Sequence, residues 1–149
     1  MVSSPGCGRE LTDLRLIISK CLRELEDVMS GEYFRCLSLS DIKDELSRLS
    51  PYLRVVFSRW VPEIIYALYI RGRLSFNEMK RAFGVSSRVL TDKLRALEDL
   101  GLIRKEVDAS VRPIRVYYEL TRLGREVGVA LVPILTILKE VVKGRGITP

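Results

Sequence analysis

Two helical patterns separated by only Gly84 and Val85 constrain this chain more than any other feature of its sequence. Ser75-Phe76-Asn77-Glu78 fits a capping box, with Ser75 at the N-cap and Glu78 three residues into the helix. That helix carries Phe76, Met79 and Phe83 and is closed by Gly84. Ser86 can cap the next helix at once, predicted over Ser87 to Leu100. A helix, a very short turn containing glycine and a second helix form the signature of a helix-turn-helix, shared with many other helical hairpins.

The residues that follow add a hairpin. Gly101 ends the second helix, and Leu102 to Val107 reads as a strand with Ile103, Lys105 and Val107 on one face. Asp108-Ala109-Ser110 is a turn, and Arg112 to Leu120 returns as a strand rich in β formers such as Val116, Tyr117 and Tyr118. Pro113 must then lie at an edge or near the tip. The predicted fold class is mainly α with a small β-hairpin, a winged helix-turn-helix flanked by N- and C-terminal dimerisation helices.

Charge concentrates on the same segment. Residues 71–125 hold 13 Lys/Arg against 7 Asp/Glu, while the rest of the chain holds 12 against 12, so the whole net charge of +6 lies here. That is where a nucleic-acid surface would need it. On a helical wheel Val89, Leu90, Leu94, Leu97 and Leu100 share the core side of the second helix. The opposite side shows Arg88, Thr91, Asp92, Arg95 and Asp99, with Ser86 and Ser87 at the N-terminus. Recognition helices present N-terminal residues to base edges in the major groove. Arg88 can read guanine through two hydrogen bonds, and Thr91 offers a hydroxyl and a methyl. The bland alternative is a solvated face with i,i+4 charge pairs such as Arg95–Asp99. Arg112 and Arg115 would flank the hairpin tip, and Arg73, Arg104 and Lys105 are candidates for phosphate contacts.

Upstream, residues 1–9 are rich in Ser, Gly and Pro and are expected to be loose. Leu11 to Met29 predicts an amphipathic helix in which Leu11, Leu14, Ile18, Cys21, Leu25 and Val28 form a heptad seam. The seam suits a dimer interface or a helix that covers its own core. Ser40 is expected to cap a short helix from Asp41 to Leu49 that Ser50-Pro51 breaks, with a second helical piece over Tyr52 to Trp60. Pro62 suits the first turn of a helix from Pro62 to Ile70, and Trp60 is expected to anchor its start in the core. Downstream, Thr121 can cap a last helix striped by Leu123, Val127, Leu131, Ile134, Leu138 and Val141. Pro133 is expected to kink or break it, and the tail from Lys143 to Pro149 to fray. The seam residues of the first helix, with Val127, Leu131, Ile134 and Leu138 of the last, are the candidate dimer interface. The corresponding organisation is a helical extension over 1–50, a winged domain over 51–122 and a C-terminal helix over 123–149.

Several function classes lose support from composition. The chain has no His, which removes His-based acid–base chemistry, His metal ligands and the usual catalytic triads. Cys7, Cys21 and Cys36 have no short paired spacing and make neither a disulfide framework nor a zinc site. With no glycine-rich phosphate loop or carboxylate cluster, no enzyme activity, metal or cofactor is expected. No apolar run approaches the roughly 20 residues that span a bilayer, and the first eight residues lack signal-peptide character, so a cytoplasmic protein without membrane partners is expected.

From Trp60 onward the chain resembles the HxlR-type winged-helix regulators, relatives of the MarR and PadR proteins. The resemblance is carried by Trp60 before Ile64-Ile65-Tyr66-Ala67-Leu68, by Leu74 to Met79, and most closely by Val85 to Glu98. Gly101-Leu102-Ile103 and Arg112 to Gly124, with a Tyr-x-Leu-Thr-x-x-Gly exit, are similar to the family's wing, and Val132-Pro133-Ile134-Leu135 to its final helix. The match covers about residues 50–142. It implies a homodimeric regulator that binds sequence-specific double-stranded DNA. Many family members carry a Cys-Pro about ten residues before the Trp, a thiol sensor in some; here Ser50-Pro51 stands nearest that place. The helix from Leu11 to Met29 is longer than the family usually carries.

The competing reading is a winged helix used as a protein-interaction module, for which the acids Asp92 and Asp99 on the polar face speak. A small-molecule effector of unknown identity could lie against Leu14, Ile18, Trp60 and Leu131, residues that plain packing also explains. The chain also has no Gln, a single Asn (Asn77), and 18 Arg against 7 Lys. Depletion of thermolabile amides predicts a thermophilic, archaeal source. Calorimetry should therefore give an unfolding midpoint above the mesophile range; a midpoint below about 60 °C would count against it.

Overall fold

The structure is a computed structural model that describes residues 7–145, and side chains over 13–144 apart from Tyr33. The chain divides into two compact units, up to Ser47 and from Arg48 onward. The first unit holds α1 (Cys7–Met29), the single turn α2 (Glu32–Arg35) and the start of α3 (Leu39–Val56). Cys7, Gly8 and Arg9, expected to be loose, already belong to α1. Along the heptad seam Ile18 is buried and Leu14 half-buried, while Cys21, Leu25 and Val28 are exposed. The Leu11 side chain lies outside the described ones.

The expected break at Ser50-Pro51 does not occur, because α3 runs through Pro51 without interruption. Proline costs a helix one N–H donor and a clash with the preceding turn. Eighteen residues of otherwise regular pattern absorb that cost here. The helix also starts earlier than Ser40. Ser38 forms the cap, its hydroxyl accepting from the Asp41 amide at 3.2 Å while Asp41 Oδ2 accepts from the Ser38 amide at 2.9 Å. The sequence over 52–60 is therefore the end of α3 and a turn, not a separate helix.

In the second unit α4 (Val61–Arg71) places Val61, Ile64, Ile65 and Leu68 in the core. Trp60 is its N-cap with φ +76°, an unusual backbone conformation for a bulky residue. The half-buried indole packs against the core, 6.4 Å from the Phe83 ring, and the Arg59 guanidinium lies 5.0 Å from its centroid. Then follow β1 (Arg73–Ser75), α5 (Phe76–Phe83), α6 (Ser87–Asp99), β2 (Ile103–Asp108), β3 (Arg115–Leu120) and α7 (Arg122–Arg145). The hairpin gains a third strand that the sequence reading lacked, giving an antiparallel sheet in the order β1-β3-β2. Arg73, Leu74 and Ser75 pair with Glu119, Tyr118 and Tyr117. β3 begins at Arg115 rather than Arg112, so Arg112, Pro113 and Ile114 belong to the connection. Leu102 lies buried just ahead of β2 instead of within it.

The core of this unit joins α4, Met79, Val85, the leucines of α6 and the inner sheet residues Ile103, Tyr118 and Leu120. Leu90, Leu94 and Leu97 are buried as expected, but Val89 is 37% exposed and belongs to the outward edge of α6. On α7, Leu131 is buried in the core and Val127 is packed against it, whereas Leu123, Ile134, Leu138 and Val141 are exposed. Pro133 sits inside α7 without ending it. Residues 143–145, expected to fray, continue the helix, and 146–149 lie outside the described residues.

One junction ties sheet to helix. Thr121 Oγ1 donates to the Gly101 carbonyl at 2.6 Å and accepts from the Gly124 amide at 3.1 Å, while the Thr121 amide donates to the Leu102 carbonyl at 3.0 Å. Gly124 lies so close that an added Cβ would fall 1.8 Å from the Leu102 oxygen. Neither backbone can yield, since the carbonyl is already engaged. Gly124→Ala should therefore cost about 3 kcal/mol or more in chemical denaturation; a cost under about 1 kcal/mol would show that the junction is looser than described.

The capping box of α5 is complete. Ser75 Oγ accepts from the Glu78 amide at 3.3 Å, and Glu78 Oε2 accepts from the Ser75 amide at 2.7 Å. The Ser75 hydroxyl and amide bonds hold the Glu78 carboxyl below the usual glutamate range. A depressed folded-state pKa adds stability above the unfolded value that is lost as pH falls through the folded one. Ser75→Ala should cost about 1 kcal/mol at neutral pH. In denaturation series the loss should shrink at pH values below the glutamate range, and a cost independent of pH would contradict the carboxylate's part in the cap.

Candidate nucleic-acid interface

The outward face of α6 is set by its buried one. Ser86 caps the helix, its hydroxyl accepting from the Val89 amide at 3.2 Å. With Leu90, Leu94 and Leu97 fully inward, Ser86, Ser87, Arg88, Thr91, Asp92, Arg95 and Asp99 are all exposed. The structure thus leaves all seven of these sequence-predicted residues exposed. Among the described residues, Arg88, Thr91, Asp92, Arg95 and Asp99 make no ion pair or side-chain hydrogen bond. The i,i+4 pair expected for a merely solvated face, Arg95–Asp99, is not formed, although Lys20–Glu24 and Arg122–Glu126 form such pairs elsewhere.

The sheet treats its charges differently. Arg73, Glu119 and Arg104 stand side by side across the three strands. Arg104 Nε donates to Glu119 Oε1, and Arg73 Nη1 lies 3.9 Å from Glu106 Oε2. The Glu119 carboxylate holds the Arg104 guanidinium still further into its charged form. Two of the five cations expected to face phosphate are therefore matched with carboxylates on their own sheet.

Tyr117, read from sequence only as a β former, organises this region. The Arg73 guanidinium lies 4.6 Å from its ring centroid, and the Tyr117 side chain raises the pKa of the nearby Arg115 guanidinium. Arg115 opposes Asp108 at the outer end of the hairpin. Asp108 Oδ1 accepts from the Ser110 amide at 3.0 Å and from the Ser110 hydroxyl, which fixes the turn and lowers the Asp108 pKa. Arg112 is exposed in the connection beyond it.

Between α5 and the hairpin lies an open groove of about 560 Å³, lined by Asn77, Arg81, Lys105, Arg115 and Tyr117 among others. Arg81 and Asn77 also line a second groove, of about 550 Å³, at the turn between α5 and α6. Arg81 was not among the residues expected from sequence. The signal was present: it is exposed in the last turn of α5, three residues before Gly84. Among the described residues no group of His, Cys, Asp and Glu is arranged to hold a metal ion. Cys21 and Cys36 are free and exposed. No described helix is long and apolar enough to cross a membrane.

Comparison with known proteins agrees with this geometry. Residues 55–145 match the HxlR-like helix-turn-helix family. YvaP of Bacillus subtilis, named as an HTH-type transcriptional regulator, is 34% identical over 89 residues, which are 59% of this chain and 77% of that protein. A similarly named regulator of Methanothermobacter thermautotrophicus is 44% identical over 70 residues, covering 46% of this chain and half of that protein. Among solved structures, ytfH from Salmonella typhimurium, named as a transcriptional regulator, superimposes with a TM-score of 0.54 at 33% identity, covering 66% of this chain and 90% of that one. The redox regulator HypR in its reduced form gives a TM-score of 0.51 at 33% identity, covering 65% and 91%. The three-stranded sheet behind a helix-turn-helix is the winged architecture of these regulators, and the chain belongs to the HxlR-like helix-turn-helix family.

Proposed function

We propose that this transcriptional regulator acts as a homodimer that binds double-stranded DNA in a sequence-specific manner, in the cytoplasm and without catalysis or a cofactor. The observation that carries the reading is the outward face of α6, where Arg88, Thr91 and Arg95 are exposed and have no partner within the described structure. Arg88 and Thr91 lie in the N-terminal half of α6, the part of a recognition helix that meets base edges in the major groove. Arg81, Lys105, Arg112 and Arg115 supply phosphate contacts, with the hairpin tip along the backbone or in the minor groove. Arg73 and Arg104, matched by Glu106 and Glu119, brace the sheet.

A two-fold axis would let two α6 helices read half-sites one helical turn apart. The exposed seam residues Cys21, Leu25 and Val28 of α1, and Ile134 and Leu138 of α7, support dimerisation. Ile18 and Leu131, buried within the chain, contribute to the fold rather than to that open surface. An oxidant switch at Ser50 has no chemical basis, since a hydroxyl lacks the thiolate that such sensing requires.

The alternative, a protein-interaction module, draws on the exposed acids Asp92 and Asp99, which repel phosphate. Sedimentation and DNA titration separate the two. A dimer contacting six or more phosphates should lose about a thousandfold in affinity between 50 and 200 mM salt. Arg88→Ala should cost about 1–3 kcal/mol on the preferred duplex and relax its sequence preference. A monomer without DNA affinity would favour the alternative, and binding that ignores salt would contradict the DNA reading.

A further inference from the structure

The acids on α6 are the least expected feature of a phosphate-facing surface, and one of them has a place in base reading. Asp92 follows Arg88 by four residues, and Arg95 follows Asp92 by three, so each arginine is a neighbour of Asp92 on the helix surface. Yet Asp92 pairs with neither, and its side chain makes no hydrogen bond among the described residues. On the sheet, by contrast, Glu106 and Glu119 are both matched with arginines. An unpaired carboxylate facing DNA is repelled by the backbone unless a base donates to it. In the major groove the exocyclic amines of cytosine and adenine are the donors that a carboxylate can accept from, adenine's standing beside the acceptor N7, while guanine and thymine show only acceptors at the equivalent positions.

Resting on the DNA-binding reading above, we propose that Asp92 is a specificity-determining residue that selects a cytosine, close to the guanine that Arg88 reads. Four residues of helix rise about 6 Å. That is nearly two base steps of 3.4 Å, so the two side chains address neighbouring pairs rather than one. Each half-site then contains a G·C pair read through guanine and, one or two steps away, a pair read through cytosine. The carboxylate discriminates in two ways. It accepts from the cytosine amine, and it rejects guanine O6, thymine O4 and the N7 beside adenine's amine by facing acceptor with acceptor.

Selection of bound duplexes from a random double-stranded pool tests this, run with the full-length protein and with Asp92→Asn and Asp92→Ala. The wild-type protein should enrich a motif with an invariant cytosine one or two steps from an invariant guanine. Asp92→Asn replaces an acceptor with an amide that pairs with adenine N6 and N7. It should move the preference at that single position from cytosine to adenine, with the guanine retained. Asp92→Ala should lose roughly tenfold discrimination there, while its affinity for random DNA rises as a negative charge is removed. If both variants enrich the wild-type motif unchanged, Asp92 is only an electrostatic brake and the assignment is overturned. If the wild-type protein enriches no motif at all, the DNA-binding reading itself fails. Circular dichroism of the variants, both at an exposed position, should match wild type; a loss of helix would instead make Asp92 structural and overturn the assignment.

Discussion

Burial of Leu90, Leu94 and Leu97 in the core shared with α4 and the sheet determines what the rest of this domain can present. All three are 1% exposed or less, and Ile64, Ile65, Leu68 and Met79 fill the other side of the same core. Each such side chain contributes about 1.5–3 kcal/mol on leaving water. No rotation of α6 about its axis is possible without exposing at least one of them. Its polar residues are thus outward by default, and their order along the surface is fixed by helical geometry.

The short Gly84–Val85 connection and the Thr121–Gly124 junction extend that constraint to the neighbouring elements. Gly84 adopts a positive φ of 61°, which closes α5 and lets Ser86 cap α6 two residues later. At the far end the hydroxyl of Thr121 and the bare Cα of Gly124 bring α7 onto the backbone of Gly101 and Leu102. The hairpin therefore leaves α6 in a direction fixed at both its strands. This positioning, rather than any single charge, makes a winged helix-turn-helix usable as a reader.

The helix-turn-helix was legible in the sequence because its signals are local. Ser75 with Glu78, Gly84, Ser86 and Thr121 each act within four residues, and each performs the predicted capping or terminating role. The errors arose where tertiary context outweighs local preference. Pro51 read as a breaker, but α3 runs through it. β1 has three residues and no periodicity of its own; it exists because β3 offers Arg73 to Ser75 a partner. For the site, the exposed residues of α6 followed from the leucine spacing alone. Pairing of Arg73 and Arg104 with acids depends on strand register, which a list of charges does not contain. The same register brings the Arg73 guanidinium over the Tyr117 ring.

The basic segment thus shows two kinds of surface: a sheet whose Arg73 and Arg104 are matched with carboxylates, and a helix whose Arg88 and Arg95 are not. Backbone amide NMR during titration with an operator-like duplex tests that distinction most directly. The account predicts shifts concentrated at residues 86–95 and around the 108–115 turn, with Arg104 and Glu119 little changed. Shifts absent from α6, or centred on the outer sheet, would contradict it.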